Sequence, residues 1–121
     1  MDNLPNQEFV KAWHEAYGVN SNPDFMSAQG WDAMHGIFAA IKMLNGNLDD
    51  GAKFVDALKG LNLEGPRGVI QIDPNTRDVI QDEHAATVYR KPDGKLGIKT
   101  ISVFKAVKDE CKELRLGRCG P

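Results

Sequence analysis

Apolar side chains recur at Phe9, Val10, Trp13, Ala16 and Tyr17, the spacing of one buried helix face. They predict a first helix capped by Asn6 and stopped by Gly18 at the C′ position. Asn22-Pro23-Asp24 then offers a cap, a proline at the first helical position and an acid in the first turn. The helix it opens carries Met26, Met34, Ile37, Phe38, Ile41 and Leu44 on one face and ends at Asn45-Gly46. Gly30 and Gly36 lie inside it, each costing about 1 kcal/mol against alanine, so close packing on another backbone is expected there. Asp49 or Asp50 starts a third helix with Phe54, Val55, Leu58 and Leu61 inward, broken at Gly60.

The second half alternates at period two. Gly65-Pro66 and Gly68 force a tight change of direction before a β-branched strand, Val69 to Ile72, which Asp73-Pro74-Asn75 ends. Ala86 to Arg90 and Leu96 to Phe104 predict a hairpin around the turn Pro92-Asp93-Gly94, and residues 107–115 a short last helix. Helices first and strands second read as α+β when the chain stands alone. The pattern is three helices, a short strand, a β-hairpin and a short terminal helix.

Wording within these elements resembles one family. Glu64-Gly65-Pro66-Arg67-Gly68-Val69-Ile70-Gln71-Ile72-Asp73 with Thr76-Arg77-Asp78 is similar to the GPRG-v-x-i-D-x-x-T-R-D segment near the C-terminus of ABC-transporter substrate-binding proteins. The type is the type I periplasmic binding protein, typified by the Leu/Ile/Val-binding proteins. Phe9-Val10-Lys11-Ala12-Trp13 through Tyr17-Gly18, Ala28-Gln29-Gly30-Trp31-Asp32-Ala33, and Val107-Lys108-Asp109 through Leu114 match further family segments in the same order. Together they resemble the C-terminal third of such a protein.

The resemblance implies an α/β fold in which the helices flank a parallel sheet supplied mostly by sequence outside these 121 residues. It divides the chain into a helical part of one lobe (1–63), a crossover strand and hairpin belonging to the other lobe (64–106), and a terminal helix and tail (107–121). Apolar surface made to meet the remainder is then expected to be uncovered. The implied function is capture of a branched-chain amino acid or related aliphatic or aromatic carboxylate, periplasmic or extracellular, and delivery to an ABC permease. No basic or apolar leader stands at Met1, so a fragment without a signal peptide is expected. The alternatives are the ligand-sensing part of an amide- or amino-acid-responsive regulator, and a self-associating module without ligand, for example a homodimer.

The resemblance places one candidate binding position, Met26, with Phe25 beside it, against the apolar part of a ligand. The competing reading is that both simply begin the core face of the second helix. Trp31 is read as a packing residue. Asp32 is read as facing solvent, with the alternative that it holds a neighbouring loop. Arg67 and Arg77-Asp78 are read as pinning turns, with an anion site on Arg67 as the alternative.

Charge adds exclusions. Fifteen basic and 17 acidic residues are scattered, with no basic stripe, so no nucleic-acid partner is expected. His14, His35 and His84 stand apart from any metal-binding spacing, and no nucleophile–base, P-loop or dinucleotide pattern is present. Neither an enzyme nor a metal or organic cofactor is expected. Cys111 and Cys119 either pair or remain loose thiols in the tail.

Overall fold

The computed structural model describes residues 3–114. Its elements run α1 (Leu4–Tyr17), α2 (Phe25–Met43), α3 (Gly51–Leu58), β1 (Asn62–Gly65), β2 (Gly68–Ile72), β3 (Val79–Arg90), β4 (Leu96–Val107) and α4 (Glu110–Glu113). Cys119 and the rest of the tail lie outside the described residues, and with them the question of a Cys111–Cys119 pair.

Local chemistry sets the helix ends. Asn3, not Asn6, caps α1, its Oδ1 accepting from Asn6 N at 2.8 Å. Pro5 makes the earlier start possible, because it lacks an N–H and occupies the first turn, where that donor has no helical partner. Such a cap stabilises by about 1 kcal/mol. Gly18 ends α1 at φ 88°, donating to His14 O at 2.9 Å. α2 begins later than expected, because Asp24 is the cap itself. Ser27 N donates to Asp24 Oδ1 and Asp24 N to Ser27 Oγ, each at 2.9 Å. Asn45 and Gly46 close α2 at φ 49° and 78°, and Asp50 caps α3.

The buried stripe of α2 is Ala28, Asp32, Gly36 and Ala40, one residue per turn. The larger residues Met34 and Phe38, expected inside, stay about half exposed, at 46% and 57%. Small side chains let α2 approach β1 closely, so that a Cβ on Gly36 would stand 3.4 Å from Leu63 Cδ1. Gly36 therefore meets a side chain rather than a backbone. Gly30, with nothing within 4 Å of such a Cβ, does not meet the expected close contact at all. α3 buries no residue fully; Phe54 and Leu58 are half-buried and Val55 is exposed.

The four strands form one antiparallel sheet in sequence order. No parallel pair occurs among the described residues. β1 is an addition to the expected strands. Asn62 and Glu64 carry no β signal, yet the strand pairs Asn62 with Gln71 through to Gly65 with Gly68. Pro66 and Arg67 make the two-residue turn between them, and Gly68 takes φ 100°, which only glycine adopts cheaply. β3 and β4 are longer than expected, reaching back to Val79 and on to Val107. Between Gln81↔Val107 and Glu83↔Phe104 the ladder slips, leaving Asp82 opposite Lys105 and Ala106. Ala106 takes a left-handed φ of 49° at this bulge. Beyond it the ribbon exposes Val88, Ile98, Ile101 and Phe104, with Ile98 at 78%.

Candidate functional site

The approach to α2 is held from three sides. Trp13 Nε1 donates to Ser21 Oγ at 2.9 Å, Ser21 N donates to Gly18 O at 3.0 Å, and the Asp24–Ser27 box fixes the first turn. The Ser27 amide and hydroxyl, both bonded to Asp24, hold its carboxyl below the ordinary value of 3.8. This rigid lead-in sets out Phe25 and Met26 as neighbours, 69% and 59% exposed. Neither begins the core face, because the buried stripe starts two residues later at Ala28. Two apolar side chains on a braced helix start form a surface suited to an apolar ligand wall, but they supply no polar group to orient a ligand.

A charged link ties α2 to the sheet. Asp32 is 3% exposed, and Arg67 Nε donates to its Oδ2 at 2.9 Å. Arg67 Nη1 donates to Gln81 Oε1 at 2.6 Å. The solvent reading of Asp32 is thus corrected: the carboxylate is buried because the β1–β2 turn delivers a guanidinium to it. Gly65 makes room, since a Cβ at that position would collide with the Asp32 carboxylate. Arg67 pins this turn, as read from the sequence, but to a helix and to β3 at once.

Aromatic packing joins α1 to α2. Phe9 lies 5.4 Å from Trp31 and 6.3 Å from Trp13 between ring centroids, and Trp31 stands 4.8 Å from His35. His35 Nδ1 lies 2.9 Å from the Trp31 carbonyl, which makes Nδ1 the donor. A groove of about 490 Å³ runs over these rings between the two helices, with Tyr17, Met34 and Phe38 on its rim. A second, of about 500 Å³, lies between α2, α3 and the sheet, lined by Ile37, Leu58, Ile70 and Val79 among others. Both are apolar and open. Among the described residues no group of three His, Cys, Asp or Glu side chains could hold a metal ion. No helix among them is long and apolar enough to cross a membrane.

Helices laid on an antiparallel sheet, with apolar faces left open, are consistent with a fragment of an α/β fold. Comparison with known proteins gives the same class. A family profile described as "Periplasmic binding protein" matches residues 1–95. The chain belongs to the type I periplasmic binding proteins of ABC transporters. It is 33% identical over 108 residues to a Leu/Ile/Val-binding protein homolog 6 of Brucella abortus (strain 2308), covering 89% of this chain and 27% of that protein. It is similar to a solute-binding protein of an ABC transporter from Rhodopseudomonas palustris BisB5, solved with 3,4-dihydroxybenzoic acid. The identity is 39% and the TM-score 0.81, over 92% of this chain and 30% of that one. A further R. palustris solute-binding protein, solved with 4-hydroxybenzoate, is 29% identical with a TM-score of 0.79, over 90% and 29% of the two chains. The chain therefore spans under a third of the length of these relatives.

Proposed function

We propose that this chain serves as part of an ABC-transporter solute-binding protein that captures a small carboxylate outside the cytoplasmic membrane and delivers it to a permease. In that assembly residues 1–63 contribute to one lobe, 64–106 carry the crossover strand and hairpin to the other, and 107–121 close the chain. The observation that carries the reading is similarity to solute-binding proteins over about nine-tenths of this chain at up to 39% identity. Among small carboxylates an aromatic acid is favoured over a branched-chain amino acid, because the 39%-identical relative was solved with 3,4-dihydroxybenzoic acid.

Phe25 and Met26 border the ligand's apolar part. Their exposure on a braced helix start supports this role, and methionine adapts to ring or branched shapes. The groups that fix the ligand's charged end come from sequence outside this chain. Alone, the chain covers its open faces with a second copy.

The test is a chimera in which this chain replaces the matching segment of the 3,4-dihydroxybenzoate-holding relative. Met26→Ala and Phe25→Ala in the chimera weaken binding of that ligand by about tenfold, equivalent to roughly 1.4 kcal/mol. Unchanged affinity in a folded double variant would remove both residues from the site.

A further inference from the structure

The turn between β2 and β3 is joined to the chain's end by charge at two points. Lys112 Nζ donates to Asp78 Oδ1 at 2.8 Å, and Lys108 Nζ lies 3.9 Å from Asp73 Oδ2. The turn is built to present these carboxylates. Asp73 Oδ1 accepts from Asn75 N at 2.8 Å and Thr76 N at 3.2 Å, while Asp73 N donates to Asp78 O at 2.8 Å. Arg77 N donates back to Asp73 O at 2.9 Å, with Arg77 held at φ 65°. On the facing side Asp109 Oδ1 accepts from Cys111 N at 3.0 Å and Lys112 N at 3.3 Å, which sets α4 at its angle to the turn.

Leu114 adds little apolar burial to this contact. Leu114 is 63% exposed, and Asp78 Oδ2 is buried with no hydrogen-bond partner among the described residues. The charged groups around the junction are Asp73, Arg77 and Asp78 on the turn and Lys108, Asp109 and Lys112 on the segment leading into and along α4.

We propose that residues 108–114 form a charge-held strap across the β2–β3 turn, engaged by the Lys112–Asp78 and Lys108–Asp73 pairs and released by protonation or screening. The strap ties the end of β4 to the turn that enters β3, so it closes the base of the long ribbon. The bulge lies just beyond it, where Asp82 accepts from Lys105 Nζ at 2.7 Å and Ala106 N at 3.0 Å. Release leaves that base held by its ladder alone and lowers the local opening free energy there.

The sign follows from the partners. Lys112 first, then Thr76, holds the Asp78 carboxyl below its ordinary range, and the amides of Asn75 and Thr76 do the same for Asp73. Asp78 in turn raises Lys112 above 10.5. The Asp contributions are present above the unfolded carboxylate value and lost as pH falls through the lowered ones. The Lys112 contribution is present below 10.5 and lost as pH rises through its raised value. The strap is engaged between these limits.

Amide hydrogen exchange on this chain tests it. Leu114 N, which donates to Glu110 O at 2.8 Å, reports the strap, and Ile72 N, which donates to Leu61 O at 2.9 Å, reports the sheet. Asp78→Asn and Lys112→Gln each lower Leu114 protection by about two- to fivefold and leave Ile72 unchanged. The exchanged pair Asp78→Lys with Lys112→Asp restores protection. Salt at about 1 M, where the Debye length is about 3 Å, lowers it in the parent chain and lowers it less in the single variants, which keep only the Lys108–Asp73 pair. Leu114 protection that ignores substitution and salt would overturn the strap in favour of ordinary packing. Equal loss at Ile72 would overturn it by making the pairs supports of the whole sheet.

Discussion

Arg67 on the β1–β2 turn closes a 2.9 Å ion pair on Asp32, a carboxylate 3% exposed in the middle of α2 and 35 residues earlier in the chain. The pair ties α2 to the β1–β2 turn, with Gln81 drawing in β3 through the same guanidinium. Arg67 keeps partial solvent contact at 22%, so the cost of breaking the pair sits below that of a fully enclosed one.

Removing Arg67 is therefore expected to leave a buried, uncompensated carboxylate. Arg67→Ala destabilises the chain by about 2–3 kcal/mol in urea unfolding. Gly65→Ala acts on the same contact by forcing a methyl group into the Asp32 carboxylate, costing about 1–3 kcal/mol. Midpoints unchanged in both variants would show that the link is incidental.

Acid should weaken the fold late rather than early. Asp24, Asp73, Asp78 and Asp82 all sit below their ordinary value of 3.8, for Asp24 and Asp73 chiefly through backbone amides and for Asp78 and Asp82 chiefly through lysines. Their contributions are complete above the unfolded carboxylate value and fade as pH falls through the lowered ones. Thermal unfolding followed from neutral pH downward should hold steady to about pH 5 and fall steeply below about pH 4. A loss concentrated between pH 7 and pH 5 would contradict the carboxylate account.

The open apolar faces predict self-association. Met34 and Phe38 on α2, with Ile98, Ile101 and Phe104 on β4, stay in solvent, and β4 is an open sheet edge. Lys99 and Lys105 on the same strand oppose direct edge pairing, which favours the helical groove as the contact. Light scattering at micromolar concentration should give at least twice the chain mass. Phe38→Lys should lower that mass, and Ile98→Lys should change it less. A clean parent monomer would show that the chain tolerates these faces uncovered.

The elements legible in the sequence are those written in short-range chemistry. Gly18, Asn45-Gly46 and Asp50 mark helix ends through their own backbone preferences, and Gly65-Pro66 with Gly68 marks the turn. β1 was hidden because Asn62 and Glu64 become strand only by pairing with β2. Gln81 to His84, the polar stretch of β3 after Val79-Ile80, is strand for the same reason: its β4 partners are residues 103–107. The buried side of α2 was misplaced because Met34 and Phe38 outweigh Ala28, Gly36 and Ala40 in any hydrophobic pattern. Close approach of β1 nevertheless selects the small residues. Asp32 reads as a solvent-facing carboxylate because nothing near it in sequence announces Arg67, 35 residues on. At the candidate site the motif supplied the positions Phe25 and Met26, while their exposure and bracing by Trp13–Ser21 required the fold.

The most direct test of the solute-binding account is calorimetry with 3,4-dihydroxybenzoate, 4-hydroxybenzoate, benzoate, leucine and valine, on this chain alone and transplanted into its 39%-identical relative. The chain alone should show no saturable binding tighter than about 10 μM, roughly −7 kcal/mol, and the folded transplant should bind at least one of the five. Tight binding by the isolated chain, or a folded transplant that binds none, would contradict the account.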